Sequence, residues 1–256
     1  MWRPPDDPQI FGAIDIDAAP VLRFIERARV TGHRVTPTHL VGRALAHALH
    51  AVPDLNVQLR RGRARPRPSI DIFFVTAVAS GRDLSGVGIE DVPAKPATVI
   101  AAELSERSRA MKEGRDRDFA RTKRLTDHTP PWLLRPLLRA ASFVTEGLGV
   151  DLPMLSLRSS PFGSAMVTSV GMFGLPSGFA PLAWLYDVPV LLLVGEIAPR
   201  AVVVDGKVEP REILPITATI DHRYVDGWHV SQAMRAFRAY LTAPERFEPA
   251  FGLQAA

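Results

Sequence analysis

The sequence predicts one α/β domain on three observations: capped amphipathic helices in the first half, four strand-like apolar runs in the second, and no repeat, linker or low-complexity stretch between them. With 256 residues, 46% of them hydrophobic and 23% charged, the chain has the balance of an ordinary globular protein and enough length for one substantial core.

The elements follow in order. Ala18 to Thr31 reads as a helix capped by Asp17, with Val21, Leu22 and Ile25 at helical spacing and Gly32 as its stop. Thr36 is an N-cap with Pro37 at the first helical position, and Leu40, Val41, Ala44, Leu45, Ala48, Leu49 and Val52 form the apolar stripe of a core helix. Pro53-Asp54-Leu55-Asn56 ends it, and the arginine-rich stretch to Pro68 reads as a surface hairpin or loop. Ile70 to Ala79 is a buried strand, punctuated afterwards by Gly81 and Gly86; Ala97 to Lys112 is a helix, after which charge dominates through Arg124.

Thr129 to Pro161 reads as an apolar helix broken at Pro136, to be covered by its own domain, by a neighbouring subunit or by a membrane surface. Beyond it, Ala165–Val170, Val190–Glu196, Ala201–Val204 and Ile213–Ile220 are strands, and Asp205-Gly206 is the turn of a hairpin between the last two. A final helix from Trp228 to Leu241 lines up Val230, Met234, Phe237 and Leu241 and stops before Pro244.

Composition narrows the function classes. There is no cysteine, which removes disulfides, thiolate metal sites and cysteine nucleophiles; a metal-free, cytoplasmic protein is the expectation. Met1-Trp2-Arg3-Pro4-Pro5-Asp6-Asp7 lacks the basic start and apolar run of a signal peptide. The longest apolar run, Val188 to Val194, contains Pro189 and falls far short of the roughly 20 residues of a spanning helix, so no membrane span is expected. Lysine and arginine together number 31 against 27 acids, and only Lys95, Lys112, Lys123 and Lys207 are lysines. An arginine surplus suits a phosphorylated ligand, whereas the one short basic stretch, Arg60 to Arg67, does not argue for a nucleic-acid partner.

Histidine takes up a proton near neutral pH, so the seven histidines are the candidate bases. His47 and His50, three apart on the second helix, have the spacing of a metal pair but no third ligand nearby, and no metal site is expected. His222 stands apart: it follows a strand where the chain turns into a helix, between Asp221 and Asp226 and ahead of Gly227. Strand ends are where α/β proteins place reacting groups, and on residue types alone this is either such a site or an ordinary polar turn.

The stretch Ile220-Asp221-His222-Arg223-Tyr224-Val225-Asp226-Gly227 resembles the DHRxxDG signature of the acyltransferase components of 2-oxo acid dehydrogenase complexes, itself related to the HxxxDG signature of chloramphenicol acetyltransferase. Three further stretches resemble the family in order. Val35-Thr-Pro-Thr-His-Leu-Val with Val52-Pro-Asp-Leu-Asn56 is similar to its first core helix. Val167-Thr-Ser-Val-Gly-Met-Phe-Gly174 is similar to its serine-asparagine-leucine-glycine strand and turn. Val194-Gly-Glu-Ile with Val202-Val-Val-Asp-Gly206 is similar to the hairpin before the histidine.

The resemblance covers about Ile14 to Pro244 and implies a chloramphenicol-acetyltransferase-like α/β fold, a mixed sheet flanked by helices that builds an obligate homotrimer. Trimers of this family assemble in some members into a cubic cage. It implies that His222 is the general base for the thiol of coenzyme A or dihydrolipoamide attacking an acyl thioester. Thr168 then stands where the family aims a hydroxyl at the oxyanion, with Ser169 as the donor if the alignment slips by one. Asp226 is implied as a structural anchor through a buried ionic or hydrogen-bonded contact. Coenzyme A enters as a substrate, and a lipoyl group only on a separate lipoyl-bearing protein, because Lys95 and Lys112 sit in no lipoyl-type hairpin. The chain reads as a single catalytic domain over residues 1–256 with an apolar insertion at 127–161. Two other readings remain open: a non-catalytic trimeric or cage-forming scaffold on this fold, and an O-acyltransferase of the chloramphenicol type.

Overall fold

A computed structural model describes residues 8–60, 63–78, 83–113, 161–182 and 188–249, and the isolated positions 130 and 136. Strand β1 (Gln9–Asp17) leads into helix α1 (Ala19–Val30) and helix α2 (Pro37–Ala51). A short hairpin of β2 (Val57–Arg60) and β3 (Arg63–Pro66) follows, then β4 (Ile72–Val78), β5 (Asp83–Ile89) and helix α3 (Ala97–Lys112). The chain continues through β6 (Ala165–Ser169), β7 (Val190–Val194), β8 (Ala198–Val204), β9 (Lys207–Asp221) and helix α4 (Gly227–Thr242).

Seven strands form one mixed sheet in the order β1-β9-β7-β6-β4-β5, with β8 also paired to β9. Strands β4, β6 and β7 run parallel, while β9 is antiparallel to β1, β7 and β8. The fifteen residues of β9 are the hub: Ile213 to Asp221 pair with β1 along one edge, while along the other Lys207 to Ile213 pair with β8 and Ile216 to Ile220 with β7. Pro215, which has no N–H to give, falls at this changeover and contributes only its carbonyl, to Gly195 N at 2.9 Å.

Among the described residues the helices lie over one face. Helix α2 packs on α4, β4, β6 and β7, and its stripe of Leu40, Val41, Ala44, Leu45, Ala48 and Leu49 is fully buried or nearly so. Each large apolar side chain of that stripe contributes roughly 1.5–3 kcal/mol. On the opposite face a smaller cluster gathers Met166, Leu182, Val188 and Leu191. The Asp205-Gly206 hairpin turn forms as expected, both residues at positive φ, as a two-residue turn matched to strand twist requires.

Two strands differ from expectation: β1 and β5 were not foreseen as strands. The arginine-rich stretch resolves into the β2–β3 hairpin. The segment 127–161 lies outside the described residues apart from positions 130, 136 and 161. Among the described residues no helix is long and apolar enough to cross a membrane, and no cluster of three metal-ligating side chains occurs. His47 packs against the Phe247 ring at 4.7 Å and the Tyr240 ring at 5.9 Å; burial, then the charges of Arg43 and His50, lowers its pKa.

Candidate active site

Strand β9 delivers Asp221 to the end of the sheet, where the backbone is held from both sides: Asp221 N donates to Pro189 O and His222 N to Pro8 O, each at 2.9 Å. The turn closes on itself with Tyr224 N donating to Asp221 O at 3.1 Å. The Asp221 carboxylate is buried and grips Arg223 through its backbone N at 2.9 Å, its Nε at 3.0 Å and its Nη2 at 2.5 Å. Val225 drops into the core. With Asp221 and Val225 both buried, His222 between them is exposed, and no described residue makes a hydrogen bond to its imidazole. The turn therefore presents a histidine on a rigid support.

Asp226 caps helix α4. Its Oδ1 accepts from Trp228 N at 3.0 Å and His229 N at 3.1 Å, and meets His229 Nδ1 at 2.7 Å. The backbone hydrogen bond from His229, then the one from its ring, hold the carboxyl below its usual range. Asp226 caps the helix and does not make the buried contact expected of it: 63% of its side chain is exposed, because the orphan N–H groups it satisfies lie at the surface end of the helix. Sequence reasoning passed over His229, whose Nε2 also faces Asp54 Oδ2 at 3.9 Å. The available signal was its place three residues after an N-cap aspartate.

Thr168 and Ser169 end strand β6. Strand alternation sends them to opposite faces: Ser169 shares the helix-covered face with Val167, and Thr168 the other with Met166. Both line a cleft of about 640 Å³ that includes Arg34 from the loop ahead of α2, Thr38 and His39 from the first turn of α2 and Ser105 from α3. Thr168 pairs with Leu193 and Leu193 with Thr217, while His222 lies five residues beyond Thr217. At about 3.4 Å per residue and 4.8 Å per strand, that puts roughly 20 Å between the two backbones. One chain does not bring its histidine and its hydroxyl together.

Residues 157–248 match the family model described as 2-oxoacid dehydrogenases acyltransferase (catalytic domain). A curated relative from Schizosaccharomyces pombe is 29% identical over 128 residues, 46% of this chain. It is a probable dihydrolipoyllysine-residue succinyltransferase component of the mitochondrial 2-oxoglutarate dehydrogenase complex, and the match spans 28% of its length. Among solved structures, a probable dihydrolipoamide acetyltransferase from Listeria monocytogenes superposes with a TM-score of 0.68 at 20% identity, over 98% of this chain and 88% of that one. The cubic core of a pyruvate dehydrogenase multienzyme complex gives 0.68 at 18% identity, over 94% and 84%. A chloramphenicol acetyltransferase gives 0.52 at 14% identity, over 92% and 89%, so the fold is chloramphenicol-acetyltransferase-like.

Proposed function

We propose that this chain moves an acyl group between thioester and thiol, with coenzyme A as one thiol and His222 as general base, a reading supported by the match of residues 157–248 to the catalytic-domain model of the 2-oxoacid dehydrogenase acyltransferases. The observation that carries the reading is the exposed imidazole of His222, held on a turn clamped by Asp221 and Val225 within that segment. His222 takes the proton of the attacking thiol, the thiolate adds to the thioester carbonyl, and the tetrahedral oxyanion collapses with loss of the second thiolate, which recovers the proton from the imidazolium. Thr168 supplies the hydroxyl that steadies the oxyanion.

The separation of roughly 20 Å between Thr168 and His222 in one chain supports a site made by two copies, His222 from one and Thr168 from its neighbour. A homotrimer with three such sites is one closed arrangement that pairs the two groups, and the chain's likeness in fold to a cubic core supports assembly into larger cages. The β2–β3 hairpin stands beside the turn, with Leu59 N donating to Tyr224 Oη at 3.4 Å, and its Arg63 and Arg65 are exposed, a charge suited to coenzyme A phosphates. The second thiol is that of a dihydrolipoyl group.

The test is thiol exchange between acyl-coenzyme A donors and dihydrolipoamide, for wild type and His222→Ala. A general base contributes roughly a hundredfold to ten-thousandfold, so the variant falls by at least that order. Equal, negligible rates in both proteins refute the enzyme and leave a scaffold; turnover only when an alcohol is supplied replaces the thiol acceptor with a hydroxyl.

A further inference from the structure

Helix α2 begins with a capping box of unusual composition. Thr36 is the N-cap, and the third helical residue, where glutamate or glutamine is common, is His39. The ring closes the box by accepting the Thr36 backbone N–H on Nδ1 at 3.1 Å. A neutral imidazole has one accepting nitrogen and one N–H, so using Nδ1 as acceptor puts the hydrogen on Nε2. Burial keeps the ring neutral by lowering its pKa from 6.5 to about 4. His39 also lines the cleft that Thr168 and Ser169 line, and no described residue accepts from its Nε2. Arg34 and Glu196 are the charged side chains on the same walls.

We propose that the Nε2–H of His39 is a fixed hydrogen-bond donor to a carbonyl oxygen of the acyl-thioester ligand in this cleft, an assignment that rests on the acyltransferase reading. Neutrality suits the task. A cationic ring would surrender its Nδ1 contact and loosen the start of α2, whereas the neutral tautomer keeps its donor aimed from a rigid helix end at every pH above about 5. Donors fixed before the reaction stabilise an oxygen without reorganising.

The capping box supplies the test. Glutamate and glutamine both close it, so His39→Glu and His39→Gln keep the helix start, but only the glutamine retains an N–H to give. With an acyl-coenzyme A that wild type turns over, His39→Glu is expected to lose on the order of a hundredfold in kcat while His39→Gln stays within about threefold. Equal kcat in all three proteins reduces His39 to a cap and overturns the inference while leaving the acyltransferase standing; a wild type inert toward every thioester removes both. If His39→Glu fails to fold, ¹⁵N NMR of wild type decides. The Nε2–H tautomer is expected from pH 5 to 8, with its resonance moving on addition of acetyl-coenzyme A. A ring that titrates in that range, or one unmoved at saturation, overturns the proposal.

Discussion

Holding His39 neutral ties the stability of the fold to pH. Its pKa is 6.5 in an ordinary setting and about 4 here, because burial penalises the charged ring. Between those values the unfolded chain binds a proton that the folded chain does not, so stability is complete above pH 6.5 and is lost as pH falls toward 4. The gap of about 2.5 units corresponds to roughly 3 kcal/mol, of which about 2 kcal/mol is lost between pH 7 and pH 5. His39→Gln removes the titration and keeps the capping box. Urea unfolding at pH 7, 6 and 5 is then expected to show wild type losing about 2 kcal/mol more than the variant over that range. Glu248, whose pKa burial raises, moves stability the opposite way with pH, but it is present in both proteins and cancels in the difference. Parallel curves for the two proteins refute a neutral, buried His39.

Other perturbations follow from particular contacts. Asp226→Ala removes the acceptor of Trp228 N and His229 N and should cost about 0.5–2 kcal/mol of stability, read as a lowered Tm beside the loss of activity; an inactive variant with an unchanged melt contradicts the anchoring role. Tyr240→Phe strips Glu248 Oε1 of a buried donor at 2.5 Å, leaving the Arg43 guanidinium at 3.4 Å from that oxygen and Ala97 N at 2.7 Å on the other, and should cost about 1–3 kcal/mol by urea titration. Gly195→Ala drives a Cβ to 2.1 Å from Pro176 O and should lower stability by more than about 2 kcal/mol. Gly12→Ala, with nothing within 4 Å, serves as its control and should melt close to wild type.

Local signals were legible wherever one residue fixed the backbone. Thr36 and Pro37 announced α2, Asp205-Gly206 the β8–β9 turn, and the apolar spacing from Val230 to Leu241 the face of α4. Strand β5 was hidden because its glycines serve a neighbour: a Cβ on Gly86 would strike the Phe73 ring at 2.1 Å, so what reads as turn punctuation is room for an aromatic side chain across the sheet. Strand β1 owes its pairing entirely to β9, far along the chain, and Gly12 and exposed Phe11 blur its alternation. The turn of His222 and the positions of Thr168 and Asp226 were visible as a pattern of residue types. That Thr168 and His222 occupy distant stations of one sheet depends on strand order, which no local spacing encodes; the exposure of Asp226 and the contact of His39 depend on how each helix start sits in the fold, which residue types alone do not announce.

The pairing of β1 with β9 also sets a schedule for synthesis. Residues 9–17 leave the ribosome about 200 residues before residues 213–221, their hydrogen-bonding partners. At roughly 5–20 residues per second the first strand waits about ten to forty seconds with its backbone donors and acceptors unclaimed. Strand β7 waits as well, for it too closes on β9. The sheet therefore completes only when β9 arrives near the end of the chain, so this fold is one of high contact order, slow to form and in most need of protection from stray strands while it is being made.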